Sequence, residues 1–480
     1  MSGTSSTRIL RLRLRQHLID LAGGWVRGAG MPTTRIALPG SDDAITQKHA
    51  RSVIDLCLRM GEAMLATGAS SADVVATVLR LSSSFGISGM HVDIAFTSIT
   101  VSVHRGVDED PISVVRVVRV RTTDYTRLQD VYRLIDDITS SDEPVDPDAA
   151  RERLNRILVQ PHPYRRWVMS LGKAVLAAGV VVMYDASIVL VLVAAGSAIV
   201  ADVVTRRLEK WRVSAFFVQM AAAAVITAIA AALKWFSSLG LALPGADQPT
   251  VIVISGIMLL LSGIGLTAAA RDAIDGYYIT ASARGLEVLM MTLGLAVGIF
   301  VTLGVALRLG SPITVGTSLG RTESIAAGML GAGLIGIGFA LTSYVRLIIA
   351  PLMGILAAVV FAVFFVVQPL APEPGLAQGT AGVVAGVAAY LLYRWIKVPE
   401  AAMTMAGIIG LIPGLTVYRA IFTLMSNDHG LSSSLVEFVS ALAIGIGLAA
   451  GTTIGGHVTR RAFGLDRAAQ LSIRRTRGPR

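Results

Sequence analysis

Four ionisable residues, Asp272, Asp275, Arg284 and Glu287, crowd into one short stretch of an otherwise apolar region. A charge held near the centre of a bilayer costs on the order of 3 kcal/mol, so such residues are rare there and seldom idle. Two carboxylates in a short linker can exchange protons with water and pair with Arg271 or Arg284, which is the chemistry of proton coupling or gating. A second group offers backbone chemistry. Ser262 with Gly263, and Pro413 with Gly414, interrupt two long apolar segments. Pro413 brings no N–H and frees a carbonyl about one turn earlier, and the glycines permit local unwinding. Polar groups freed in this way persist in lipid only where protein or a hydrated cavity satisfies them. A small zwitterion suits such a place, its anionic end at an open helix amino terminus and its cationic end on the freed carbonyls. These four residues, with Arg419 beyond the second interruption, are the expected substrate-binding set.

The remaining charges near membrane depth, Lys173, Asp202, Glu323, Arg346 and Glu437, mostly fall within about two turns of an expected helix end, where long side chains reach water. They read as interfacial. In the amino-terminal third, His91, Asp93, Ser98 and His104 could be assembled into a Ser, His, Asp hydrolase, and a membrane-anchored hydrolase is one alternative reading. No nucleophile-elbow glycine pattern accompanies Ser98, and strand residues one apart face opposite ways. A membrane sensor or scaffold is the other alternative. Glu62 lies on the polar side of a helix and reads as a solvated or ion-paired carboxylate. The single cysteine, Cys57, has no partner for a disulfide or a Cys-based metal site and reads as a small core residue. No catalytic residue, metal or cofactor is expected, and no Walker-type glycine loop offers ATP coupling.

The elements that must position these residues follow from composition and period. Hydrophobic residues make up 53% and charged ones 15%, which favours a membrane protein over a soluble one. Forty-eight glycines without a collagen period supply close helix approach. The net charge of +10 sits in the tails and short loops, so it reads as membrane orientation and not as nucleic-acid binding. Residues 1–47 form a basic tail in which Arg and Leu alternate, without the apolar core of a cleaved signal. Residues 48–142 read as an α+β domain: two short helices separated by Gly68, then two strands or one bulged strand around Val92–Val103, a strand at Val114–Val120, and a helix opened by Asp124. A linker helix occupies 143–166.

Ten apolar segments follow, each long enough to cross ~30 Å of hydrocarbon. They lie near 167–184, 186–204, 213–233, 250–270 and 286–307, then 325–342, 345–367, 377–396, 401–425 and 434–457. Residues 167–310 and 311–459 make two five-helix halves, and 460–480 a basic tail. Arg and Lys concentrate after the even-numbered segments, which places both termini and the α+β domain in the cytoplasm. Sliding the chain by 151 residues lays Ser262, Gly263 and Gly294 on Pro413, Gly414 and Gly445. A repeat with five spans per half is necessarily inverted, the plan of many secondary transporters.

Taken together, LRMGEAMLATGAS from Leu58 to Ser70, Phe85 with Gly86, the strand pair around Phe96 and Thr97, the Asp272, Asp275, Gly276, Arg284, Glu287 segment, and Ile412, Pro413, Gly414, Tyr418 and Arg419 resemble the threonine/serine exporter family of bacterial membrane proteins. The resemblance runs from about Ile54 to His457 and marks Glu62 and Gly68 as parts of the family's amino-terminal motif. It implies export of threonine, serine or related small amino acids, driven by protons, from a multi-pass protein of the bacterial plasma membrane. The partners it implies are the amino acid, protons and membrane lipid, with room for a homo-oligomer.

Overall fold

The computed structural model describes residues 47–87, 89–104, 111–118, 122–141, 145–239, 249–260, 263–309, 324–414 and 431–463, with residues 416, 419, 420 and 423 between the last two stretches. Ser262, Glu323 and nearly all of the two expected tails lie outside them.

Helices α1 (Gln47–Thr67) and α2 (Ser71–Ser84) open the fold. Gly68 ends α1 at φ +103°, a conformation that favours glycine, and Ser70 then caps α2 by accepting from the Asp73 amide. Strands β1 (Met90–Ala95), β2 (Ser98–Val103) and β3 (Ile112–Val117) form an antiparallel sheet in the order β1-β2-β3. Of the two readings of the Val92–Val103 stretch, the two-strand one holds: Ala95 pairs with Ser98 across a tight turn at Phe96 and Thr97, with Phe96 at φ +53°. The third strand ends at Val117, and Val118 already points into the core. Asp124 caps α3 (Tyr125–Ser140), and α4 (Pro147–Val159) completes a core that includes Leu56, Met60, Val78, Ile99 and Leu128. Cys57 is buried there, and burial pushes its thiol up to about 12, which makes it a small apolar residue.

The apolar helices are α5 (Arg166–Met183), α6 (Ile188–Lys210), α7 (Ala215–Ser238), α8 (Pro249–Leu260), α9 (Gly263–Ile274), α10 (Tyr278–Arg308), α11 (Ile325–Thr342), α12 (Ala350–Val367), α13 (Leu376–Ile396), α14 (Glu400–Ile408) and α15 (Leu431–Ala462). Among the described residues, eight of these are long and apolar enough to cross a membrane singly. The α8/α9 pair, bent by 45°, makes up to nine. The ninth expected segment, 401–425, begins as α14 and a 3-10 turn at Ile409–Leu411. Ten separate crossings are therefore more than the described helices establish. Asp185, Arg212, Tyr344 and Lys397 take left-handed conformations just past α5, α6, α11 and α13, a backbone stop for each helix.

The pairing of helices recurs between the two sets. In the first, α5 packs on α6 and α8, α6 on α7 and α8, and α7 on α8 and α10. In the second, α11 packs on α12 and α14, α12 on α13 and α14, and α13 on α14 and α15. The third and fifth helices of each set touch backbone to backbone. A Cβ on Gly298 would stand 2.1 Å from the Met220 carbonyl oxygen, and one on Gly451 would stand 2.0 Å from that of Gly379. Between the sets, α5 and α11 cross with Gly172 beside Gly338 and Gly179 beside Gly331, so the leading helix of one runs antiparallel to that of the other.

These approaches predict that Gly451→Ala and Gly298→Ala each cost roughly 1–3 kcal/mol or more through backbone displacement. Gly304→Ala, with nothing within 4 Å of the new methyl, should be neutral. Thermal unfolding of purified protein in detergent checks the contrast.

Candidate functional site

The two helix interruptions converge. A cavity of about 310 Å³ is lined by Met258 and Leu259 at the end of α8 and by Ile409, Ile412 and Gly414 around the break after α14. Pro413 has no N–H for the carbonyl of Ile409, four residues earlier, so the chain tightens into the 3-10 turn and becomes extended at Ile412 (φ −65°, ψ 137°). The Gly414 amide then donates to the Ile412 carbonyl at 2.7 Å. The opposite wall comes from the α5–α11 crossing: Met169, Lys173 and Leu176 on one side, Phe339, Thr342 and Ser343 on the other. Thr123, just ahead of α3, also contributes to the wall. Gly414, one of the expected substrate-binding residues, thus lines this cavity. Arg419 is not among the cavity-lining residues and instead lies near the Tyr184 phenol.

Lys173 is the charge on this wall that sequence reasoning assigned to the interface. Its Nζ donates to Asp202 Oδ1 at 2.6 Å, while Asp202 Oδ2 accepts from Ser170 Oγ at 2.7 Å and faces Arg206 Nη2 at 2.9 Å. Asp202 is buried between two cations and a hydroxyl. Opposite charges at one depth on adjacent antiparallel helices were the available signal. Lys173 stands two turns into α5, and Asp202 about two turns before the end of α6.

A second polar cluster lies where the α/β unit meets the apolar helices. Asp272 sits in the last turn of α9, only 1% exposed, with Arg284 Nη1 2.8 Å away. Asp275 follows, 3.9 Å from Arg271. The expected open linker is therefore a buried junction, closed by Ser71 at the start of α2. Burial raises the Asp275 carboxyl, helped by Asp73 and Asp272 and opposed by Arg271. Burial together with these carboxylates pushes the Tyr277 phenol up to about 12, so it remains a donor at neutral pH. Among the described residues, Arg271 Nε and Tyr277 OH have no hydrogen-bond partner, and the Asp272–Arg284 contact is an ion pair without hydrogen-bond alignment. Glu287 is exposed on α10 and does not join the cluster.

The α/β unit bridges both helix sets. Thr280 on α10 donates to the Ile94 carbonyl and accepts from the Phe96 amide. In the other set, the Tyr125 amide donates to the Ser343 carbonyl, Thr126 Oγ1 to that of Tyr344, and Gln129 Nε2 to that of Lys397. Glu62 pairs with Arg116 at 2.9 Å, the ion-paired reading, and Gly68 is the helix stop. Ser98 Oγ donates to the Ala95 carbonyl within its own turn, and His91 and His104 stack edge-on with each other. No Ser, His, Asp relay forms from the described residues.

Sequence comparison adds an independent line. Two family profiles, both of threonine/serine exporters, match the chain, one over residues 55–306 and the other, "Threonine/Serine exporter, ThrE", over residues 328–458. The "Probable threonine/serine exporter" of Mycobacterium tuberculosis is 32% identical over 453 residues, which is 92% of this chain and 81% of that protein. The "Threonine/serine exporter" of Corynebacterium glutamicum is 29% identical over 425 residues, 87% of this chain and 85% of that one. No solved structure matches.

At the junction, Arg284→Gln strands a buried carboxylate, and removing one partner of such a pair costs about 3–5 kcal/mol. The double change Asp272→Asn with Arg284→Gln should recover most of that loss, as a thermal-stability double-mutant cycle will show.

Proposed function

Because the chain belongs to the threonine/serine exporter family, a family of transporters and not of enzymes, we propose that it exports threonine, serine or a similar small amino acid across the bacterial plasma membrane, driven by the proton gradient. The observation that carries this reading is the cavity into which both interrupted helices bring residues. Its 310 Å³ lies at the low end of ligand pockets, and hydroxyls from Thr123, Thr342 and Ser343 stand among apolar side chains. A small hydroxylated amino acid suits that lining. The carbonyls of the turn before Pro413 are the partners offered to its ammonium. Ser262, which lies outside the described residues, and Gly263 belong to the same site on this reading.

We place the α/β unit and both termini in the cytoplasm. The ends after α6, α9, α11 and α13 carry Arg206, Arg207, Lys210, Arg271, Arg346, Arg394 and Lys397, and the unit docks on this Arg-rich face. The recurring helix pairs and the antiparallel crossing of α5 with α11 support two inverted five-helix halves, 167–310 and 311–459. On this assignment the Asp272–Arg284 pair works as a gate, breaking and re-forming as the α/β unit follows the halves.

Three outcomes test the reading. Proteoliposomes loaded with threonine or serine should release it faster than protein-free vesicles, and faster again under an inward proton gradient. Release indifferent to the gradient and to a protonophore removes the proton part. Pro413→Ala should alter the apparent affinity or the turnover while insertion persists. A reporter active only outside the cell should work at Asp247 or Gly375 and fail at Glu209 or after Arg480; the reverse pattern overturns the orientation.

A further inference from the structure

The export reading leaves open what holds the substrate's acidic end, and the cavity wall supplies an answer. Among its described residues Lys173 is the charged one, and Met169, Leu176, Met258 and Leu259 line the same cavity. An ammonium carries three N–H donors, of which Asp202 takes one. The carboxylate of Asp202 does not depend on that bond alone, since Ser170 Oγ and Arg206 hold its other oxygen at 2.7 and 2.9 Å. Lys173 therefore has donors to spare, and it can lean toward a second anion without leaving Asp202 unpaired. Apolar neighbours strengthen such a charge-assisted hydrogen bond relative to bulk water.

We infer that Lys173 recognises the α-carboxylate of the amino acid in this cavity, with Asp202 as the positioning residue that holds its ammonium at the wall. The inference rests on the export reading and names the group that makes the site selective for a free carboxylate. It also exchanges the roles that the sequence reading gave two cations, Arg419 at the substrate and Lys173 at the interface. Lys173 faces the cavity, whereas Arg419 stands away from it, near Tyr184.

The full-length protein, reconstituted and saturated with labelled threonine, is challenged with unlabelled threonine or threoninamide, which differ in the carboxylate. Wild-type protein should prefer threonine by about tenfold or more, as a lost charge-assisted hydrogen bond implies. Lys173→Gln should bring that ratio close to one. Since that change alone leaves Asp202 Oδ1 without its donor, the pair Lys173→Gln with Asp202→Asn returns the site to its wild-type net charge and should show the same loss in protein that elutes as the wild type does. Asp202→Asn alone, which loosens the ammonium from the wall, should lower the preference without abolishing it. A double variant that elutes normally and still prefers threonine as wild type does overturns the assignment, all the more if Arg419→Gln abolishes the preference. Wild-type protein that binds neither threonine nor serine overturns the export reading itself, and this proposal with it.

Discussion

In a bilayer, helices gain nothing from hiding apolar surface from one another, so close backbone approach and interhelical polar contacts hold them together. The crossing of α5 and α11 shows the constraint at its tightest, with paired glycines at two levels and each Cβ position occupied by the other helix's backbone. The cavity is built from the same two helices, one turn or so from Gly172 and Gly338, through Lys173, Leu176, Phe339 and Thr342. A packing element that cannot yield thus lies beside a space that two broken helices complete. Rigidity on one wall and irregular backbone on the other is the arrangement in which polar backbone is tolerated at depth.

The α/β unit is fastened to the helices by backbone carbonyls at their ends as well as by apolar contact. Ser343, Tyr344 and Lys397 each offer a carbonyl just past a helix terminus, and the left-handed residues Tyr344 and Lys397 turn the chain there. Helix ends are where carbonyls lack intrahelical donors, so the unit satisfies groups that would otherwise need water. Because Thr280 and Asp272 bind it from the first set of helices, one small body spans both sets. Relative motion of the two sets must then pass through it or break these bonds.

Much of this was legible in the chain. Long apolar runs marked most of the helices, although α10 begins at Tyr278, well before the expected 286, and α6 runs on to Lys210, past the expected 204; Gly68 marked its stop, and Asp124 its cap, because each signal is local. The breaks at Ser262–Gly263 and Pro413–Gly414 were read as one site for the same reason, a missing donor and missing side chains, and Met258, Leu259 and Gly414 line one cavity. What the sequence hid was depth and partnership. Lys173 and Asp202 each looked like an interfacial residue until the antiparallel packing of α5 on α6 set them at one level. Asp272 looked like a loop charge, and only the docking of α2 over the end of α9 made it buried. Gly298 and Gly451 gave no sign of their importance, since forty-eight glycines do not announce which of them meet a carbonyl.

The placement of charge and of glycine divides the molecule into parts that hold and parts that can part. Buried or partly buried ion pairs between apolar helices gather toward the face that carries the α/β unit: Lys173 with the buried Asp202, the buried Asp272 with Arg284, and the half-buried Glu400 with Arg460. Buried pairs of this kind contribute little net stability, because desolvation offsets most of the attraction, and entering water can replace either partner. The glycine contacts of α7 with α10, α13 with α15 and α5 with α11 have no such substitute, since parting them exchanges packed backbone for lipid. An opening at the charged face therefore separates the pairs at modest cost, while the glycine-packed helices move as rigid bodies. The cavity lies between these two regimes, with an ion pair on its wall and a glycine crossing beside it.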